Sequence, residues 1–196
     1  MPADRAAQRP HRLLDSRGSE RRLVCGEGRV LAPRSISTKA RAEAAKGSRG
    51  IALEALGQYW VVAIEPANLP GVTHTATVGP LPVSVGVPYS AMYMQTITPP
   101  GFQSAVHTHA GPEAWYNVAG AMCLETPDGV IRDKAGSNGV FVRGDIPMLL
   151  TSTGSLERQA MVLVLHESAR PPITIEHTWT PKGECKSPAS RQVSTR

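Results

Sequence analysis

The sequence has few cysteines and no long apolar run. Its three cysteines, at positions 25, 123 and 185, lack Cys-x-x-Cys spacing, which argues against a cysteine-rich zinc site or a dithiol redox motif. No stretch approaches the roughly 18 consecutive apolar residues of a transmembrane helix, so the sequence predicts none. The 196 residues, 41% of them hydrophobic and 19% charged, are sufficient for one domain with a packed core.

The first quarter of the chain lacks aromatic residues altogether. Residues 1–50 contain no Phe, Trp or Tyr, and they hold 12 Lys and Arg against 5 Asp and Glu, which explains the basic pI of about 9.4. A segment without large apolar side chains buries too little area to offset its ordering entropy. We therefore predict a disordered basic extension over residues 1–50, with a short helix near residues 38–46. Because its arginines are scattered rather than clustered, we expect no nucleic-acid partner.

An apolar stretch over residues 51–64 follows Lys46 and Arg49 and partly resembles a secretion signal. Glu54 and Gln58 interrupt the stretch, and no small-residue cleavage site follows it. We therefore favour a cytoplasmic protein, while export stays open.

From residue 59 onward, short apolar runs alternate with turn residues, and the chain as a whole contains 18 glycines and 17 prolines. Runs at this density, without a helical period between them, predict an all-β domain, an antiparallel sandwich or barrel. The pair Asp128-Gly129 predicts a hairpin, and the continuous apolar run over residues 159–166 predicts a central strand covered on both faces. We assign residues 51–180 to this domain and residues 181–196 to a C-terminal tail. The predicted strands are 59–64, 72–78, 92–98, 103–109, 114–118, 122–125, 130–132, 139–143, 148–151 and 159–166.

The chemistry-bearing side chains concentrate in residues 101–120. His107 and His109 are two residues apart, so on a strand their imidazoles point to the same face. The turn at Gly111-Pro112 is expected to bring Glu113 back onto the next strand, facing them. Two imidazoles and one carboxylate form a triad that holds a divalent transition metal such as Fe, Mn, Ni or Zn and leaves positions open for water or substrate.

The spacing Gly101-x5-His107-x-His109-x3-Glu113-x6-Gly120 resembles the first motif of the cupin superfamily. The resemblance covers about residues 70–170. It implies a small antiparallel β-barrel of the jelly-roll type, with His107, His109 and Glu113 as metal ligands inside the barrel.

The second cupin motif is incomplete, because Pro147 stands where the family has a histidine, the usual fourth ligand. Three interpretations stay open. The metal is held by three protein ligands; His166 or His74 replaces the missing one; or no metal binds, and Glu113 serves as an acid, a base or a ligand-binding group.

Two functions follow from the resemblance. The first is a metal-dependent cupin that acts on a small organic molecule by oxygenation, isomerisation or decarboxylation, with Glu113 also moving a proton. The alternative is a non-catalytic barrel that binds or senses a small molecule without metal. We expect a small-molecule partner in both cases, and the sequence leaves open whether the protein forms a homodimer.

Cys123 lies on a predicted strand and Cys185 in a terminal segment that can fold back across the barrel. We predict that their Cα atoms lie within disulfide range, no more than about 7 Å apart. A bond between them requires an oxidising compartment, whereas in a reducing cytosol both would be free thiols.

Overall fold

The computed structural model describes residues 22–24, 29–47, 50–66 and 75–185. In these ranges the chain is built almost entirely of antiparallel strands, and the prediction of an all-β, cupin-type barrel is confirmed. The elements are β1 (Arg22–Val24), β2 (Arg29–Ile36), α1 (Lys39–Ala45), β3 (Gly50–Ala55), β4 (Gln58–Pro66), β5 (Val78–Leu81), β6 (Pro88–Thr98), β7 (His107–Thr108), β8 (Glu113–Ala119), β9 (Ala121–Thr126), β10 (Gly129–Lys134), β11 (Val140–Val142), β12 (Leu149–Thr153), β13 (Arg158–Glu167) and β14 (Thr174–Ile175).

The barrel is made of two facing sheets. One sheet has five strands in the order β1-β6-β13-β8-β11, and the other contains β10-β9-β12. Residues 101–108 extend the second sheet, because they run beside β12 through bridges at Gln103 and His107 and then pair with β14. The predicted hairpin is present, with Asp128 in the turn between β9 and β10.

The central strand β13 is covered on both faces, as its continuous apolar sequence predicts. It pairs with β6 on one side and with β8 on the other. Ala160 and Val162 belong to the core inside the barrel, whereas Leu163 and Leu165 belong to a second core on the outer face of the same sheet. Because successive strand residues point to opposite faces, an unbroken apolar run is what such a position needs.

A further sheet, with the order β3-β4-β2-β5, supplies the other half of the second core. We call it the cover sheet. Leu31, Trp60 and Val62 of the cover sheet are buried and belong to the same core as Leu163 of β13. The five-stranded sheet therefore has the barrel interior on one face and the cover sheet on the other.

The cover sheet corrects the expectation that residues 1–50 form a disordered extension. Residues 29–47 contain a strand and a helix, and the predicted short helix is present as α1, with Thr38 as its N-cap. The expectation was wrong because it considered only the composition of the segment itself. Leu31 has no aromatic neighbour in the sequence, but it packs in one core with Trp60 of β4. The part of the extension before residue 22 lies outside the described residues, and so do residues 25–28 with Cys25.

Residues 51–64 form the hairpin of β3 and β4 rather than an isolated apolar segment. The strand predicted over 103–109 is regular only at His107–Thr108, while residues 101–104 contact β12 through backbone hydrogen bonds and one bridge. Of the strand predicted over 72–78, residues 72–74 lie outside the described residues, and among residues 75–78 only Val78 belongs to a strand, β5. No helix in the described ranges has the length and apolar character needed to cross a membrane.

The end of the described chain is fastened to the barrel. Residues 171–185, which we call the C-terminal strap, contain β14 and end at Cys185. Cys185 forms a disulfide bond with Cys123 of β9, and their Cα atoms are 5.5 Å apart, so the prediction for this pair is confirmed. Residues 181–185 of the predicted tail thus belong to the barrel, whereas residues 186–196 lie outside the described residues.

Candidate metal centre

The loop that joins β7 to β8 carries the candidate ligands. It is held from two sides: the Asp145 amide donates to the His109 carbonyl at 2.8 Å, and the Leu165 amide donates to the Pro112 carbonyl at 2.9 Å. Glu113 then begins β8, where it pairs with Val164 of β13. These backbone bonds fix the positions of the ligand side chains relative to both sheets.

Two glycines allow the loop to pass close to its neighbours. A Cβ atom at position 111 would lie 2.1 Å from the carbonyl oxygen of Leu165, and a Cβ atom at position 144 would lie 2.5 Å from the Cα atom of Gly111. Both distances are too short for any side chain. The turn that brings Glu113 back toward the histidines therefore requires glycine at both Gly111 and Gly144.

The structure brings the three predicted ligand residues together. One ligand atom from each of His107, His109 and Glu113 lies within 4.8 Å of the other two, and the residues are only 8%, 3% and 6% exposed. The imidazole centroids of the two histidines are 4.9 Å apart. Among the histidine, cysteine and acidic side chains in the described part of the chain, these three residues form the group that could hold a metal ion.

Backbone carbonyls fix the orientation of both imidazoles. His107 Nδ1 lies 2.8 Å from the Ala105 carbonyl, and His109 Nδ1 lies 2.5 Å from the Pro172 carbonyl. Because a carbonyl can only accept, Nδ1 of each ring is the donor, and Nε2 keeps its lone pair when the ring is neutral. This is the arrangement that metal-binding histidines commonly have.

Two buried atoms of the triad have unmet bonding capacity. His109 Nε2 and Glu113 Oε2 are 2.9 Å apart, yet neither makes a hydrogen bond of acceptable geometry to any residue that the structure describes. Buried polar atoms are rarely left this way without a functional reason. A cation bound between them would satisfy both atoms, so the residues present fit a divalent metal.

The protonation of the two histidines differs. Burial lowers the pKa of His107, and this outweighs the opposing effects of the Ala105 carbonyl and the Glu113 carboxylate. Burial also acts to lower the pKa of His109, but the adjacent Glu113 carboxylate and the Pro172 carbonyl outweigh it and raise that pKa overall. His107 is therefore the more readily available as a neutral ligand, and the Glu113 carboxylate favours the protonated form of His109.

Pro147, which stands where the cupin motif has its fourth ligand, directly precedes Met148, whose backbone pairs with that of His107. The amide and carbonyl of Met148 pair with those of His107, which directs the fully buried Met148 side chain toward the same face as the His107 imidazole. His166 is not a member of the group of side chains that could hold a metal ion, and its Nδ1 contacts the carbonyls of Glu167 and Arg170. The remaining alternative, His74, lies outside the described residues.

A buried arginine in the barrel was not predicted from the sequence. Arg158 is 1% exposed; it donates to the side chain of Asn117 at 2.7 Å and to the hydroxyl of Thr96 at 3.2 Å, and Asn117 in turn donates to Asp133. Burial lowers the pKa of Arg158 to about 10, against the opposing charges of Glu113 and Asp133. The sequence feature that could have indicated this buried polar network is Asn117, because strand alternation places it on the same face of β8 as Trp115.

The other interior positions follow the strand alternation. Met94 packs against the barrel core, whereas Tyr93 belongs to the core under the cover sheet, so Met94 faces the barrel interior. The barrel interior is thus largely apolar. Its buried members are Trp115, Met122, Leu124, Val142, Ile146, Met148, Leu150, Ala160 and Val162.

A cavity of about 280 Å³ lies between the edge strands β10 and β11. Ile131, Val142 and Ile146 contribute to its lining, and the exposed ion pair of Arg143 with Asp128 borders it. Val142 is the cross-strand partner of Glu113. The cavity is thus connected to the triad through one strand pair, while His107, His109 and Glu113 themselves do not line it.

Comparison with known proteins gave matches among solved structures alone. No protein-family profile matches the chain, and no curated protein matches it. One structural match is the Cupin_2 domain of an XRE family transcriptional regulator from Enterobacter cloacae, with 19% identity over 40% of this chain and 80% of that chain and a TM-score of 0.33. Another is the DMSP lyase DddQ from Ruegeria pomeroyi, with 19% identity over 49% of this chain and 45% of that chain and a TM-score of 0.35.

A third match is an uncharacterised conserved protein with a double-stranded β-helix domain from Klebsiella pneumoniae, with 13% identity over 48% of this chain and 75% of that chain and a TM-score of 0.36. We assign the fold of this chain from its own strand order and from the motif that the barrel carries. Two facing antiparallel sheets enclose the converging His-x-His-x3-Glu motif, which is the arrangement that the resemblance to the cupin superfamily implies.

Proposed function

We propose that this protein is a metal-dependent cupin that binds one divalent transition metal through His107, His109 and Glu113 and acts on a small organic molecule. One observation carries the proposal. His109 Nε2 and Glu113 Oε2 are buried and close together without hydrogen-bond partners in the described part of the chain, while Nδ1 of both histidines is engaged by backbone carbonyls. Nε2 of each ring is therefore free to bind a metal together with the Glu113 carboxylate, because one ligand atom from each of the three residues lies within 4.8 Å of the other two.

Three protein ligands leave open positions, so a substrate could reach the centre. When bound, a divalent metal would polarise an oxygen of the substrate or, in the case of iron, support oxygen chemistry. Glu113 is the acidic residue of the triad, and we assign to it both metal binding and proton transfer to or from the substrate. Oxygenation, isomerisation and decarboxylation are the reaction classes that this set of groups can serve.

The cavity beside Val142 and Ile146 supports the small size of the substrate. Its volume of about 280 Å³ is slightly below the usual range for drug-sized ligands, and its lining is mainly apolar, so a small apolar molecule would fit it. A small apolar alcohol such as cyclohexanol is a suitable probe. Ile131→Trp should fill the cavity and abolish cyclohexanol binding in ligand-observed NMR, whereas Ile97→Trp, at a position exposed to solvent, should leave it unchanged.

A second function is favoured by a specific observation. The 2.9 Å contact of His109 with Glu113 and the raised pKa of His109 are also what an ion pair without metal requires. In that case the barrel binds or senses a small molecule, and Glu113 is a structural or ligand-binding group.

Metal analysis separates the two functions. Protein without a His tag is stripped of metal, reconstituted with Fe, Mn, Ni or Zn, desalted and measured by mass spectrometry. We expect about one bound ion per chain in the wild type and in the control Glu157→Gln, whose glutamate is exposed and lies outside the triad, and almost none in His107→Ala with His109→Ala. Equal and negligible metal in all three proteins would reject the metal-dependent function in favour of the metal-free barrel.

A further inference from the structure

The C-terminal strap contacts both histidines of the triad. The Pro172 carbonyl, 63 residues away in sequence, accepts from His109 Nδ1. Strand β14 pairs with β7, with Ile175 opposite His107, and the Glu176 amide donates to the Val106 carbonyl at 2.9 Å. The strap therefore determines the ring orientation of one ligand and supports the backbone of the other.

The strap is itself fixed at its far end by three kinds of contact. The Cys123–Cys185 disulfide bond joins it covalently to β9. The carboxylate of Glu125, which is buried, accepts hydrogen bonds from three successive backbone amides, those of residues 182, 183 and 184. Arg132 adds a bond to the Glu184 carbonyl at 3.1 Å.

The strap needs these anchors because its own packing is weak. Ile173 and Ile175 are about half exposed, and β14 has only two residues. An isolated two-residue pairing is not stable by itself. Covalent and charge-assisted anchoring at residues 123 and 125 therefore replaces the apolar burial that would otherwise hold such a segment.

We propose that the C-terminal strap is a positioning element of the metal centre, and that its anchoring by the Cys123–Cys185 bond and Glu125 sets the metal affinity of His109. The proposal rests on the metal-dependent function for its effect on affinity. Its geometric part, the orientation of the His109 imidazole by Pro172, holds whether or not a metal binds. Groups that orient metal-binding histidines typically change metal affinity by about 10- to 100-fold when they are lost.

The experiment compares metal affinity with the state of individual histidine rings. The variants are Cys123→Ser with Cys185→Ser, Glu125→Gln, and the matched control Glu157→Gln, which alters an exposed glutamate far from the strap in sequence. Cobalt(II) affinity is measured by absorption titration of the full chain. The Nδ1–H signals of His109 and His166 are followed by NMR in metal-free protein, because the His166 partners, Glu167 and Arg170, lie outside the strap.

We expect both strap variants to bind Co²⁺ at least about 10-fold more weakly than the wild type and the control. The Nδ1–H signal of His109 should shift or disappear, while that of His166 persists. Unchanged affinity with an unchanged His109 signal would overturn the proposal, and so would the simultaneous loss of both signals, which indicates general unfolding.

The two proposals fail in different ways. If the wild type binds no Co²⁺, the metal-dependent function is wrong, and the NMR comparison still decides whether the strap orients His109. If the wild type binds Co²⁺ and the strap variants bind it equally well, the function stands and the strap has no part in it.

Discussion

Replacing Leu31 by alanine tests whether the cover sheet is part of the folded domain. Leu31 lies in β2, is 1% exposed and belongs to the core that joins the cover sheet to the outer face of the barrel. Truncation of a buried leucine costs about 2–5 kcal/mol, because transfer free energy is lost and a cavity is left. We expect about 3 kcal/mol for Leu31→Ala, since the site lies between two sheets that can collapse only in part.

The measurement is urea unfolding followed by tryptophan fluorescence, with thermal unfolding as a second probe. Trp60 lies in the cover sheet and Trp115 in the barrel, so the fluorescence reports on both. A loss of about 3 kcal/mol corresponds to a decrease in Tm of roughly 6–12 °C for a chain of this size. The matched control is Leu156→Ala, because Leu156 is 67% exposed and should change stability by less than about 0.5 kcal/mol.

One result would refute the packing of β2 against the barrel. If Leu31→Ala changes the free energy of unfolding no more than Leu156→Ala does, β2 does not pack against the barrel. The disordered extension that composition predicts for residues 1–50 would then be the better description.

Three further predictions concern the barrel itself. Gly144→Ala should destabilise the protein by about 1–3 kcal/mol in urea unfolding, because its Cβ would clash with the backbone of Gly111; an unchanged midpoint would show that the loop can move aside. Arg158→Met should cost about 3 kcal/mol, because it leaves buried acceptors without a donor and a buried carboxylate without its countercharge; a neutral result would contradict this account of the network. Breaking the disulfide with Cys123→Ser and Cys185→Ser should lower stability by about 4 kcal/mol in the loop-entropy model, as judged by thermal unfolding, and a loss below about 1 kcal/mol would argue that the strap is held without it.

The parts of the site that could be predicted from the sequence are those that depend on local geometry. Two histidines at a spacing of two on a strand, followed by a Gly-Pro turn, are enough to predict that Glu113 returns toward His109. The continuous apolar run over residues 159–166 likewise predicts that β13 is covered on both faces, which the two cores confirm. These predictions need only the strand period and the turn residues, and both can be recognised from neighbouring positions in the sequence.

The parts that were missed depend on contacts between distant segments. Strand β2 is ordered because Leu31 meets Trp60 and Leu163, and no property of residues 1–50 alone contains that information. The contact of His109 with Pro172 spans 63 residues, and Arg158 is buried because Asn117 and Thr96 come from two other strands. Composition and periodicity describe a segment, whereas these interactions describe its partners.

The central claim is that one metal ion is held by the two imidazoles and the carboxylate inside the barrel, and anomalous scattering from a crystal of cobalt-loaded protein tests it most directly. We predict a single strong peak inside the barrel, about 2.0–2.2 Å from Nε2 of His107, from Nε2 of His109 and from a carboxylate oxygen of Glu113. Nδ1 of His109 should still contact the Pro172 carbonyl in the same crystal. A peak at any other group of side chains, or the absence of a peak while His109 and Glu113 remain in direct contact, would contradict the claim.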